Sequence, residues 1–257
     1  MQSYFSILIA LLLFAGCSTS ERNSDSNDSV STPMESAEHQ SESLNTLTDA
    51  ETKEGWRLLF DGKSMDGWRA FRNQQNNSWE VSNETLHCKP FNDNGDNHRS
   101  DLITKEQFKN FDLRFEWRIT PQANTGVMYH VTEELNETYM TGPEYQIVDD
   151  DGYPGEMVDT QKSGAVYHMY APSIETKLNP IGEWNDSRIV VNNNHAEHWL
   201  NGVKIAAYAI QSDDWKSKIA SSKWKDFPRF GIPEDGHIAL QDHRNEVWFR
   251  NLKIRTF

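Results

Sequence analysis

Phe111-Asp112-Leu113-Arg114-Phe115-Glu116-Trp117-Arg118-Ile119 alternates apolar and charged residues without a break. Successive side chains of a strand point to opposite faces, so five apolar groups fall on one side and four charges on the other. Such a strand belongs in an antiparallel sheet with one face on a core and the other on water. Working outward, Glu197-His198-Trp199-Leu200 and Val203-Lys204-Ile205-Ala206 flank Asn201-Gly202. Asn-Gly supplies the positive φ of a type I′ turn, which predicts a hairpin. In Glu246-Val247-Trp248-Phe249 the odd positions face inward, whereas Leu252 and Ile254 are even. That change of parity predicts a β-bulge near Arg250 or Asn251. One short helix is expected over Ser212–Ile219, with a serine cap, acids in the first turn and Trp215 and Ile219 four residues apart. Pro228 closes that region. Many short strands separated by turn signals imply an all-β fold, a two-sheet jelly-roll sandwich with one short helix.

A chain of 257 residues has ample length for a core. Its formal charge of −14 argues against a nucleic-acid partner, because binding polyphosphate requires clustered cations. Two cysteines exclude a disulfide framework.

The N-terminus reads as an address. Ser6–Phe14 is an apolar run of the length of a secretory signal, too short for a stop-transfer helix. It leads into Leu13-Phe14-Ala15-Gly16-Cys17, which resembles a bacterial lipobox, although Met1–Phe5 lacks Lys and Arg. Residues 1–16 are expected to be a signal peptide and Cys17 the lipidated residue. Residues 17–53, rich in Ser, Thr, Asn, Asp and Glu, are expected to be a tether that buries too little surface to order. Acyl chains on Cys17 would hold residues 54–257, the folded domain, on a membrane of the bacterial cell envelope. Cys88 then has no thiol partner and is expected to be inert.

Two clusters could carry chemistry. If Glu144–Asp150 is a strand, Glu144, Gln146, Val148 and Asp150 share one face, and Tyr145, Ile147 and Asp149 the other. A carboxylate and an amide on one face can contact neighbouring hydroxyls of a sugar, and a carboxylate of raised pKa can act as a general base. On spacing alone a solvated polar face ending in an acidic turn is the commoner outcome. No cofactor is expected; calcium is the one metal considered, at Asp149-Asp150-Asp151, which lacks the spaced ligands of a known loop. In His237-Ile238-Ala239-Leu240-Gln241-Asp242-His243, alternation turns Ile238 and Leu240 to the core and His237, Gln241 and His243 away from it. Imidazole titrates close to neutral pH and can move protons, though a strand histidine is more often structural. Most tryptophans are expected in the core, with Trp184 held open as a sugar-stacking ring.

Taken together, the segments resemble the 3-keto-disaccharide hydrolase domain family. The resemblance rests on Leu59-Phe60-Asp61-Gly62-Lys63 with Gly67-Trp68, the Phe111–Arg118 strand, Asn124-Thr125-Gly126 and Pro143-Glu144-Tyr145-Gln146. It continues in Gly164-Ala165-Val166-Tyr167, Gly182-Glu183-Trp184-Asn185, His198–Gly202, Gly236–His243 and Val247–Asn251. It implies a concanavalin-like jelly roll and cleavage of glycosides already oxidised at C3. There Glu144 would be the base and His243 the acid or enolate donor, with Gln146, Asp150, Tyr167 and Gln241 orienting substrate hydroxyls. Two departures stand out: Thr125 followed by a run ending at His130, where members carry Ser and later Arg, and Arg244 where members often carry Gly. Two alternatives remain: a non-catalytic carbohydrate-binding lipoprotein of lectin-like fold, and an ordinary glycosidase with two opposed carboxylates.

Overall fold

The computed structural model describes residues 43–95, 97–173 and 177–257. The expected signal peptide, Cys17 and the first part of the tether lie outside the described residues. The strands are β1 Arg57–Leu58, β2 Trp68–Ala70, β3 Trp79–Ser82, β4 Thr85–Cys88, β5 Leu102–Thr104, β6 Phe111–Ile119 and β7 Asn124–Val131. They continue with β8 Glu144–Val148, β9 Asn185–Asn192, β10 His195–Leu200, β11 Val203–Ala209, β12 His237–Leu240 and β13 Val247–Thr256. Helices α1 Asp49–Lys53 and α2 Asp213–Ser221 complete the regular elements, beside short 3-10 turns.

These strands form two antiparallel sheets of a jelly-roll sandwich. The larger runs β11-β10-β9-β6-β13-β4-β3, with β1 paired to the far half of β13; the smaller runs β2-β5-β12-β7-β8. Phe111, Leu113, Phe115, Trp117 and Ile119 of β6 are all buried, as their alternation requires. They meet the inner face of the smaller sheet: Phe115 packs edge-on against Tyr145 at 5.7 Å and Phe111 against Tyr129 at 6.1 Å. Burying each such side chain contributes about 1.5–3 kcal/mol.

A polar chain crosses this core without leaving a hydroxyl unmatched. Trp117 Nε1 donates to Ser187 Oγ at 2.8 Å, and Ser187 Oγ lies 2.9 Å from the Tyr145 hydroxyl. Tyr145 in turn donates to the Trp199 carbonyl at 3.2 Å. Each hydroxyl can therefore accept one hydrogen bond and donate one.

The local signals resolve as expected. Asn201 and Gly202 have φ of 47° and 80°, and Leu200 pairs with Val203 across the turn. The register of β13 against β6 shifts between Arg250 and Lys253, and Asn251 adopts φ 51°. Ser212 caps α2 by accepting from the Trp215 N–H at 3.1 Å.

Three expectations change. The tether does not extend to residue 53: α1 is closed by a Thr48–Glu51 capping box, and Asn45 and Asn251 exchange backbone-to-side-chain hydrogen bonds at 2.6 and 2.9 Å. The Asn251 bulge presents its amide to this segment, so a polar stretch finds partners in the fold. With α1, the described residues hold a second short helix. Asp112 is not on water: it is fully buried and held by Arg188 and Arg255. Most tryptophans are in the core, as expected, while Trp199 and Trp248 lie half-buried outside it, under cationic side chains. Cys88 is buried and free, its thiol pKa pushed up first by burial and then by the nearby Asp242 carboxylate. Among the described residues no helix is long and apolar enough to cross a membrane.

Candidate active site

Because Tyr145 and Ile147 of β8 face the core, Glu144 and Gln146 must face outward from the smaller sheet. The outer face there is a cavity of about 170 Å³, lined by Asn124, Tyr139, Glu144, Gln146, Tyr167, Lys223, Trp224, Gln241 and His243. Five residues expected from the sequence thus converge: Glu144, Gln146, Tyr167, Gln241 and His243. Strands β8, β7 and β12 supply the floor. The Thr138–Met140 turn, the Lys223–Asp226 turn and the segment after β12 supply the walls.

Glu144 is only 3% exposed, and its carboxyl makes no hydrogen bond among the described residues. Burial therefore raises its pKa to about 8, against the opposing pull of the Lys223 ammonium. The side chain lies across Gly126, which pairs with Gln146. A Cβ at Gly126 would stand 2.1 Å from Glu144 Oε1 and 2.7 Å from its Cγ. This glycine is required by space, since its φ is not positive.

Around the carboxyl stand amides. Gln146, 2% exposed, donates to Asn124 Oδ1 at 3.3 Å. Gln241 Oε1 is buried with no hydrogen-bond partner, an acceptor open to a ligand hydroxyl. The Tyr167 hydroxyl is kept protonated to higher pH, first by burial and then by Glu144. Its carbonyl accepts from Trp224 Nε1 at 2.8 Å, joining two walls. His243 is exposed and stands at the rim.

Asp101 braces the walls from behind. Its Oδ1 accepts from the Asp242 N–H at 2.8 Å, and its Oδ2 from the Thr138 hydroxyl. One buried carboxyl thus ties the segment bearing His243 to the turn bearing Tyr139. Its pKa rises to about 6, chiefly through burial. Arg99 holds Asp242 at 2.6 Å.

Asp150 is not brought to this cavity. Strand β8 ends at Val148, and Asp149 turns the chain by accepting from the Gln122 and Gly152 N–H groups at 2.8 and 2.9 Å. Alternation stops there, so Asp150 leaves the Glu144 face and accepts from the Ser163 N–H at 2.8 Å. It lines a separate cavity of about 200 Å³ with Asp149, Asp151 and Glu183. Among the described residues no group of three His, Cys, Asp or Glu side chains is placed to hold a metal ion.

His237 is also elsewhere, at the opposite end of β12 from His243. It is buried, with Nδ1 3.3 Å from the Glu106 carbonyl and Nε2 3.1 Å from the Gln107 amide nitrogen, a structural arrangement. Trp184 lies outside the cavity too, its ring covered by Arg250 at 4.0 Å and Arg118 at 5.0 Å.

The two departures from the family pattern have physical readings. Thr125 donates its hydroxyl to the Gln241 carbonyl at 2.7 Å, a bond a serine would make equally. Arg244 adopts φ 69°, a region that favours glycine, and its guanidinium covers Phe91 at 5.0 Å. His130 is buried and bound to the Lys109 carbonyl at 2.9 Å, away from the site.

Sequence reasoning missed Lys223, Trp224, Tyr139 and Asp101. A signal existed for the first two: Ser222 caps the 3-10 turn by accepting from the Trp224 N–H at 3.3 Å, and a serine before Lys-Trp marks such a turn. Asp101 carries no local signature, because its partners lie 37 and 141 residues away.

A curated 3-keto-disaccharide hydrolase of Bacteroides thetaiotaomicron is 29% identical over 244 residues, covering 84% of this chain and 82% of that protein. A solved structure from Parabacteroides distasonis, described provisionally as a glycosyl hydrolase, is 37% identical with a TM-score of 0.78; the match covers 84% of this chain and all of that one. A second from the same organism, at 24% identity and a TM-score of 0.59, covers 79% of this chain and 99% of its own, and speaks to the fold. Residues 55–255 match the 3-keto-alpha-glucoside-1,2-lyase-like domain, so the chain belongs to that family and is a hydrolase.

Proposed function

We propose that this chain cleaves glycosides whose sugar has been oxidised to a ketone at C3. A ketone acidifies the hydrogen on C2, so cleavage can begin with proton removal instead of an oxocarbenium ion. In this reading ionised Glu144 takes the C2 proton, and the C–H electron pair forms the C2–C3 double bond as the ketone becomes an enolate. The pair then returns, the C1–oxygen bond breaks, and His243 protonates the departing oxygen. Water adds to the resulting enone, and the net change is hydrolysis.

The observation that carries this reading is a lone buried carboxyl of pKa about 8 beside amides and a rim histidine. An ordinary glycosidase needs a second carboxyl across the bond, and among the described cavity residues Glu144 is the only acid. The names of the relatives are also consistent with it: elimination alone makes a lyase, and elimination followed by hydration makes a hydrolase. Gln146, Gln241 and Tyr167 orient the sugar hydroxyls, while Asp150 has no part in that binding. The same proposal holds the domain on a membrane of the bacterial envelope through Cys17, on the strength of the Leu13–Cys17 sequence and the polar stretch after it.

The test compares trehalose with its 3-keto form, using the full-length chain. Sugar release from the keto substrate alone is expected, and release from trehalose alone would overturn the proposal. Binding of both without turnover would favour a carbohydrate-binding lipoprotein of lectin-like fold. A second prediction concerns Gly126→Ala, whose methyl group must push the Glu144 carboxyl aside. Since misplacement of about 1 Å costs on the order of 100-fold, kcat on the keto substrate should fall by roughly that factor with the melting temperature little changed.

A further inference from the structure

Lys223 is the one lysine or arginine lining the cavity. The residue as a whole is exposed, yet its ammonium stands 4.2 Å from the centre of the Tyr167 ring and 4.5 Å from that of Trp224. Those ring faces hold the cation by their quadrupoles and do not neutralise it. Partial desolvation keeps its pKa below the ordinary lysine value, and Glu144 is the charged group that opposes this. Among the described residues no carboxylate lies within ion-pair distance of it, whereas most of the other described lysines and arginines are paired.

This placement matters for the path of charge in the elimination. The negative charge begins on Glu144, at the floor, and moves to the ketone oxygen as the C2 proton is taken. A cation that is equally close to both sites leaves the barrier unchanged; one nearer the ketone oxygen lowers it. Lys223 stands on the Lys223–Asp226 turn over the Tyr167 and Trp224 rings, and it lines the cavity without forming an ion pair with the Glu144 carboxyl.

We propose that Lys223 is a catalytic residue whose ammonium donates to the C3 oxygen of the substrate and carries the enolate charge. The assignment rests on the elimination reading given above. In it the ammonium keeps its protons throughout: the C2 proton goes to Glu144, and the leaving oxygen takes its proton from His243. Lys223 therefore acts as an electrostatic clamp, and it selects substrates with a carbonyl at that position.

The experiment is a pH profile of kcat for Lys223→Met and the wild-type full-length chain on a 3-keto-glycoside. It is run beside deuterium uptake from D2O at C2 of 1,5-anhydro-3-keto-glucitol, which carries no aglycone at C1. Removing the cation should push the Glu144 limb to more alkaline pH, since Lys223 now lowers that pKa. Crucially, the plateau above the limb should also fall by about 100-fold, and exchange should slow in parallel. Thermal melting verifies the fold, and Lys223→Gln replaces the methionine variant if that one does not fold.

If the limb shifts while the plateau and exchange rate stay within about threefold, Lys223 acts only by tuning Glu144, and the proposal is overturned. A normal exchange rate with a lowered plateau also overturns it, because the enolate then forms without help. If the wild-type chain neither cleaves nor exchanges any keto sugar, the reaction reading itself fails and takes this assignment with it. The failure of Lys223 alone, with the wild type active, leaves that reading standing.

Discussion

Replacing Glu144 with Gln is expected to abolish cleavage of the keto substrate and, at alkaline pH, to make the protein more stable. The catalytic loss should be on the order of 1,000-fold or more in kcat, within the usual range for a general base. Gln preserves shape and hydrogen-bonding capacity, so a loss of that size would report the missing carboxylate. The stability effect follows from the raised pKa of about 8 against an ordinary value of 4.5. Between those values the native state keeps a proton that the unfolded chain has released, so wild-type stability falls as pH rises through that window. Below pH 4.5 both states hold the proton and the penalty vanishes. One pKa unit is worth about 1.4 kcal/mol, so the ceiling is near 5 kcal/mol at pH 9, and a gain of a few kcal/mol is the realistic expectation. Melting curves of both proteins at pH 5 and pH 9 check it: they should nearly coincide at pH 5 and separate by several degrees at pH 9. The wild-type kcat/KM should rise with pH through about 8, since only ionised Glu144 takes the proton. Retention of turnover by Glu144→Gln within tenfold would remove Glu144 from the base role.

Asp112→Ala should have the largest effect on stability, and none on chemistry. Arg188 grips both oxygens of this fully buried carboxylate at 2.7 Å, and Arg255 adds a third bond at 3.0 Å. Without it two guanidinium groups face each other at the outer side of the larger sheet. Removing one partner of a buried ion pair costs about 3–5 kcal/mol. Arg188 and Arg255 keep some contact with water, with side chains 29% and 27% exposed, which favours the lower figure. A domain of this size loses roughly 2–4 °C per kcal/mol, so the melting temperature should drop by about 6–12 °C. The Glu144 cavity is on the outer face of the other sheet, so kcat measured well below the melting temperature should remain at the wild-type value. A drop under about 2 °C would show that the arginines find other partners.

The same two residues show how far letters alone can be read. Asp112 sits at a solvent position of the β6 alternation, and the period of two places it on the correct face. What the period cannot show is that Arg188 and Arg255, 76 and 143 residues away, close over it. Glu144 was legible as a candidate through its phase with Gln146 and its resemblance to a family motif. Its burial depends on walls donated by the Tyr139 turn and the Lys223–Trp224 turn, which no local pattern announces. Asp150 was misplaced for a related reason: alternation was carried two residues past the strand end, where Asp149 bonds to two backbone N–H groups and redirects the chain.

By itself the sequence determined everything governed by near neighbours along the chain. The five inward side chains of β6, the Asn201-Gly202 turn, the bulge at Asn251 and the Ser212 cap all follow from backbone geometry within a few residues. Only the tertiary structure decided which outward face became a cavity, which carboxyl was stripped of water, and which lysine was set against it. Desolvation and charge coupling act through space over a few ångströms, and the groups that exert them on Glu144 come from distant parts of the chain.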